Sequence, residues 1–281
     1  MITSTSNAQV KALSKLIKNA RARRQQQVYI VEGIRMFRET PEDRIEKIYA
    51  SESFVKEHET LLAGKDWEML SDSVFASVSD TKTPQGVLCL VKMRENRLED
   101  MLQQKNGLWL ILENVQDPGN LGTMFRTGEG AGIAGVIMDR STVDIYNPKT
   151  IRSTMGSIFR VPFFITEDLH ETIRQLQNAQ VSVYAAHLEG SVCYDTPDYT
   201  KGTAFLIGNE GNGLTAETAK LADSIRKKYN EKYEYADPIR GVARDERLKL
   251  KMGFDIMNAG FTEYTQIVNV YKDPELTYQI G

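Results

Sequence analysis

Leu108-Trp109-Leu110-Ile111-Leu112 empties into Glu113-Asn114-Val115-Gln116-Asp117-Pro118-Gly119-Asn120-Leu121-Gly122-Thr123-Met124-Phe125-Arg126. Much later a second apolar run, Ala204-Phe205-Leu206-Ile207, empties into Gly208-Asn209-Glu210-Gly211-Asn212-Gly213-Leu214. A run that is apolar at every position reads as a strand buried on both faces. An exit made of glycines, side-chain amides and one committed charge is how an α/β protein builds a ligand loop at the carboxyl end of its sheet. Further apolar runs at residues 133–138, 161–165 and 181–185 are separated by segments long enough for helices, which predicts a mostly parallel sheet from residue 107 onward.

Upstream, residues 28–31 and 45–50 read as strands and residues 33–39 and 54–62 as helices. Residues 86–91 read as a closing strand after the turn at Thr83-Pro84-Gln85. This outlines a small α/β domain over residues 1–93, followed by a charged stretch without a core pattern, residues 94–106, that reads as a linker. The main domain then covers residues 107–225. Residues 226–281 differ in character: they hold Tyr229, Tyr233, Tyr235, Tyr264, Tyr271 and Tyr278 among dense charge of both signs, with possible helices at 227–237 and 244–251.

At 281 residues the chain has room for two compact domains. A net charge of −3 does not advertise a nucleic-acid binder, but the average hides a local excess. Residues 1–24 carry Lys11, Lys15, Lys18, Arg21, Arg23 and Arg24 and no acidic residue, while Val10, Leu13, Leu16 and Ile17 fall at helical spacing. The basic side chains therefore decorate the outside of an amphipathic helix, a footprint suited to phosphate neutralisation. No apolar run approaches the roughly 18 residues needed to span a bilayer, and no signal-peptide pattern is present, so a cytoplasmic protein without a membrane partner is expected. Cys89 and Cys193 sit in apolar stretches and read as buried free thiols, with neither a disulfide framework nor a metal site.

Arg126 lies one helical turn past Gly122, on the same face as a position with no side chain, which leaves room for a nucleotide backbone beside a guanidinium. Asn120 stands where the Pro118-Gly119 turn enters the helix, a position suited to capping. Glu113 closes its strand, placed to hold the loop or the arginine. Glu210 is the charge of the second loop, among glycines that permit close backbone approach. Gly128, Gly130 and Gly132 lack the lysine and spacing of a phosphate loop, and His187 has no nucleophile pattern beside it.

The two exits resemble motifs 1 and 2 of the SpoU/TrmH branch of the SPOUT RNA 2′-O-ribose methyltransferases. Glu32-Gly33-x-Arg35 together with Ser79-Asp80-Thr81-x-Thr83-Pro84-Gln85-Gly86 resembles the L30e-like substrate-binding domain that precedes the catalytic domain in ribosomal-RNA members. The resemblance implies an L30e-like α/β domain followed by a SPOUT α/β domain whose mostly parallel sheet carries a trefoil knot. It implies S-adenosylmethionine as cofactor, ribosomal RNA as partner and a homodimer. Arg126, Asn120 and Glu210 then take catalytic roles, and Ala186, Leu188, Gly208, Asn209, Glu210 and Gly211 hold the donor. Arg35 and Ser157 join the basic helix in binding RNA.

The family's third motif, an Ile-Pro-Met run and a Ser-Leu-Asn helix start expected after Asp223, has no counterpart in Ile225-Arg226-Lys227-Lys228-Tyr229-Asn230-Glu231-Lys232. Two function classes therefore stand open at the level of sequence. One is the methyltransferase; the other is a catalytically inactive RNA-binding protein derived from such an enzyme and truncated or altered after residue 225. The segment from 226 onward stays open as an accessory element, a fusion or a misread frame.

Overall fold

The structure is a computed structural model that describes residues 1–104, 106–187 and 197–227. Leu188, Cys193, the side chain of His187 and the possible helices beyond residue 227 lie outside the described residues. The chain divides into two compact units, the first made of Met1–Glu95 with Asp144–Arg160 and the second of Asn96–Val143 with the described residues from Val161 on.

The first unit opens with α1 (Ala8–Lys18) and α2 (Ala20–Gln26), two helices where the sequence suggested one. Asn19 makes the break: extended at φ −129°, it ends α1 and accepts the Ala22 N–H on its side chain at 3.0 Å, restarting the helix as a cap. There follow β1 (Val28–Glu32), α3 (Ile34–Glu39), β2 (Ile45–Ser51), α4 (Glu52–Leu62), β3 (Trp67–Leu70), α5 (Asp72–Val78) and β4 (Val87–Lys92). The sheet runs β1-β4-β2-β3, with β4 antiparallel to both neighbours and β2 parallel to β3. Val10, Leu13, Leu16 and Ile17 of α1 and Val74, Phe75 and Val78 of α5 pack on Val28, Ile30, Tyr49 and Leu88 of the sheet. Strand β3 carries no signal in the sequence, since its residues are mostly half-buried and show no alternation.

In the second unit α6 (Leu98–Met101) lies in the stretch read as a linker, with Leu98 and Met101 buried in the core. Next come β5 (Leu108–Leu112), α7 (Pro118–Ala131) and β6 (Gly135–Asp139). Helices α8 (Pro148–Thr154) and α9 (Ser157–Arg160) return to the first unit. The remainder is β7 (Phe163–Thr166), α10 (Leu169–Asn178), β8 (Ser182–His187), β9 (Thr203–Ile207), α11 (Ala216–Ala219) and β10 (Ser224–Lys227). The six-stranded sheet has the order β10-β8-β9-β5-β6-β7, with every pair parallel. Both β5 and β9 are buried at all positions, the reason they read as unbroken apolar runs. Ile173 and Leu176 of α10 cover one face above Trp109, Ile111, Val183 and Leu206. Strand β10 continues through Arg226 and Lys227 beside β8, and Asp223 anchors its start by accepting the Val183 N–H at 2.7 Å. Among the described residues no helix is long and apolar enough to cross a membrane.

Leu206 is fully buried at the middle of the second core. Leu206→Ala is expected to cost about 2–5 kcal/mol, the range for a leucine whose cavity cannot collapse. A urea midpoint that does not move would contradict this placement.

Candidate active site

The strand order reverses between β5 and β9, since β6 and β7 extend the sheet on one side and β8 and β10 on the other. Parallel sheets open a crevice beyond the strand carboxyl ends at such a point. Leu112 is in register with Ile207, and the Glu113 N–H donates to the Ile207 carbonyl at 2.9 Å. The two loops, far apart in sequence, thus leave the sheet side by side.

Side chains of the second loop tie it to the first. The Glu210 carboxylate accepts the Gln116 N–H at 2.9 Å, the Asp117 N–H at 2.9 Å and the Asn120 side-chain amide at 3.2 Å. Asn209 donates from Nδ2 to the Asn114 carbonyl at 2.9 Å, and its Oδ1 accepts the N–H groups of Gly211 and Asn212, each at 3.0 Å. The loop also folds back on itself through paired main-chain bonds between Asn209 and Gly213. A Cβ on Gly208 would lie 2.2 Å from the Gly213 carbonyl carbon, so this closure requires glycine. Partial burial disfavours the Glu210 charge, but the donors from Gln116, Asp117 and Asn120 outweigh it and hold the carboxyl below its usual range.

The first loop is organised from both sides. Asp139, at the end of β6, accepts the N–H of Asn114 at 3.0 Å and both the N–H and hydroxyl of Thr142, at 2.9 and 2.7 Å. Asp117, rather than Asn120, caps α7: its side chain accepts the Asn120 N–H at 2.8 Å, with Pro118 at the first helical position. An aspartate before a proline at a helix start is a legible capping signal. Glu113 is buried, and its carboxylate accepts the N–H of Thr215 at 2.8 Å and the hydroxyls of Thr215 and Thr218 at 2.9 and 2.5 Å. It holds the residues after the second loop, not the arginine helix. The roles of Asp139, Thr215 and Thr218 were not legible, because each arises from partners distant in sequence.

Asn120 and Glu210 are therefore in direct contact, and Arg126 is half-buried on the same helix as Asn120, one turn past the buried Gly122. Ala186 is half-buried near the end of β8, and its neighbour Ala185 is in register with Leu206 of β9. Gly208 is buried, Asn209 half-buried and Gly211 exposed. In the first unit Lys11, Lys15, Lys18, Arg21, Arg24 and Arg35 are exposed. Arg23 is not: it is 3% exposed, paired with Asp144 at 2.5 Å and donating to the carbonyls of Leu16 and Ile17, which removes it from any RNA-facing surface. Ser157 is likewise buried, and its hydroxyl donates to the Thr154 carbonyl at 2.7 Å. Cys89 is buried, which pushes its thiol up to about 12 and leaves it inert near neutrality.

An adenosyl group needs a narrow slot with small side chains and main-chain partners. Ala186 on β8 and the glycine-rich loop at 208–213, which follows the adjacent strand β9, supply small side chains and main-chain groups of that kind. A Cβ on Gly211 would meet only Asn209 Oδ1, at 3.5 Å, so there is space beside the loop. These residues fit S-adenosylmethionine.

Residues 107–232 match the SpoU rRNA Methylase family and residues 7–89 the MRM3-like substrate binding domain. The 23S rRNA (guanosine(2553)-2′-O)-methyltransferase RlmP of Bacillus subtilis is 32% identical over 231 residues, covering 79% of this chain and 87% of that protein. The AdoMet-bound rRNA methyltransferase of Sinorhizobium meliloti superposes with a TM-score of 0.72 at 28% identity, covering 92% of this chain and 96% of the other. The SpoU methyltransferase AviRb of Streptomyces viridochromogenes, in complex with AdoMet, shares the fold with a TM-score of 0.72 at 17% identity, over 90% of this chain and 97% of its own.

Because the folded state lowers the Glu210 pKa, the stability it contributes is present above its unfolded value, near 4.3, and is lost as pH falls through the folded value. The urea midpoint of wild type is therefore expected to exceed that of Glu210→Gln at pH 6 and to converge on it toward pH 3. A gap that stays constant would show that the ionised carboxylate is not what ties the loops.

Proposed function

The chain belongs to the SpoU rRNA methylase family, and from that premise we infer that it transfers a methyl group from S-adenosylmethionine to a ribose 2′-hydroxyl of RNA, with ribosomal RNA as substrate. One observation carries the site assignment. The parallel pairing of β5 with β9 brings Asn120 and Glu210 into contact at the mouth of the switch-point crevice, on the helix that bears Arg126.

The donor supplies a methyl group on a positively charged sulfur, so transfer depends on in-line approach held within about an ångström. We assign that positioning to the tied pair of loops. Glu210 keeps Gln116, Asp117 and Asn120 in register, and Asp117 fixes where α7 begins. Together they set the helix from which Arg126 projects. A guanidinium keeps its proton across the working pH range, so Arg126 acts by holding the adjacent phosphate and stabilising negative charge that develops on the 2′-oxygen. The exposed Lys11, Lys15, Lys18, Arg21, Arg24 and Arg35 supply salt-sensitive attraction for the RNA backbone. A homodimer, a knotted carboxyl-terminal half and a cytoplasmic location belong to the same proposal, on the strength of the family resemblance and the sequence. The Bacillus subtilis relative is named for a guanosine of 23S rRNA, which makes the large-subunit RNA the first substrate to assay.

Purified protein incubated with methyl-labelled S-adenosylmethionine and 23S rRNA is expected to place label on a ribose. Arg126→Ala is expected to lower the rate by about 10²–10⁴ with an unchanged circular dichroism spectrum. Full activity in that variant would reject the role given to Arg126. No transfer by wild type, with RNA binding retained, would return the chain to the inactive-binder class.

A further inference from the structure

We propose that Glu113 is a positioning residue for the methyl donor. It does not touch the donor; it fixes the far end of the loop that does. The inference rests on the assignment of residues 208–211 to donor binding.

The loop at 208–214 has one tether in its first half, where Asn209 and Glu210 bond to the neighbouring loop through Asn114, Gln116, Asp117 and Asn120. Its second half passes through Leu214, which is buried in the core, to Thr215. There Glu113 closes the structure, with Oε2 on the Thr215 N–H and Oε1 on the hydroxyls of Thr215 and Thr218. Glu113 itself is anchored at the end of β5 by its N–H bond to Ile207, the last residue before the loop. One residue thus bonds the main chain on both sides of the loop. Thr218 gives its hydroxyl proton to Glu113, so the His170 Nε2 contact at 2.8 Å is a ring N–H donating to that hydroxyl, which ties α10 to the same clamp.

A carboxylate at 8% exposure is a costly way to fill the end of a strand, and an apolar side chain would pack there without the desolvation penalty. What an apolar residue cannot do is accept the Thr215 N–H and two hydroxyls at once. Without these bonds the loop is held firmly at one end only, and binding the donor must then order the other end.

The test compares wild type with Glu113→Ala and Glu113→Gln by calorimetric titration with S-adenosylmethionine and by methyl-transfer kinetics on 23S rRNA, with melting curves to establish folding. Glu113→Ala is expected to raise the donor Kd and donor KM about tenfold to a hundredfold. Its RNA KM, and its kcat at saturating donor, should stay within about threefold of wild type. Glu113→Gln is expected to stay close to wild type. Its amide oxygen can accept the Thr215 N–H while its NH₂ donates to threonine hydroxyls that turn to accept. A folded Glu113→Ala protein with unchanged donor affinity overturns the proposal, as does a loss confined to kcat or to RNA KM. If Glu113→Ala does not fold, the near-isosteric Thr218→Val carries the test, with a smaller rise of the same sign expected in donor Kd and an unchanged value overturning the proposal. Failure of wild type to bind S-adenosylmethionine overturns instead the donor assignment of residues 208–211.

Discussion

The parallel pairing of β5 with β9 is the constraint on which the site depends. Strands that are hydrogen-bonded and in register must end together, so the Leu112 and Ile207 match decides that the two loops leave the sheet at the same height. Everything polar in the crevice follows from that match. Glu210 reaches the Gln116 and Asp117 amides only because its strand stops beside theirs, and Glu113 reaches Thr215 for the same reason. A slip of one residue would exchange the two faces of β9, misfit its side chains in the core on either side and dissolve these contacts.

Within that frame three carboxylates divide the work of shaping loops that have little regular structure. Asp139 shapes the exit of β5 from one side, Glu210 joins the two loops, and Glu113 secures the chain beyond the second. Each accepts main-chain N–H groups, which a loop otherwise leaves without partners. The glycines supply the complementary property, closeness of approach, as the space denied to a Cβ at Gly208 shows. The loops are therefore stiff where they meet the sheet, while Gly211 at the tip stays exposed. That combination suits a crevice that must admit two substrates and hold them in line.

How much of this was legible follows from the kind of signal each feature leaves. Strands β5 and β9 are buried on both faces and announce themselves as apolar runs; β3, mostly half-buried, leaves no such mark. The paired exits were readable because glycine, amide and charge cluster within a few residues. The contact of Asn120 with Glu210 was not derivable from spacing, since it depends on which strands are neighbours. Arg23 shows the limit more sharply. In a basic amphipathic stretch it looked like its neighbours, but the turn at Asn19 changes the helix phase and directs it inward to Asp144. The resemblance gives Ser157 to RNA binding, yet it is buried in a unit formed largely by the other end of the sequence.

The chain passes from the first unit to the second, back again at residue 144, and out once more after residue 160. The first unit is thus not a contiguous length of chain. The tilted rings of Tyr29 and Tyr146 meet with centroids 4.7 Å apart, and Arg23 pairs with Asp144. During synthesis from the amino terminus, the first unit cannot be completed until β5, α7 and β6 of the second have emerged, because its last pieces follow them in the chain. Neither unit is one continuous stretch of chain, and neither is a cassette that a single cut could move to another protein.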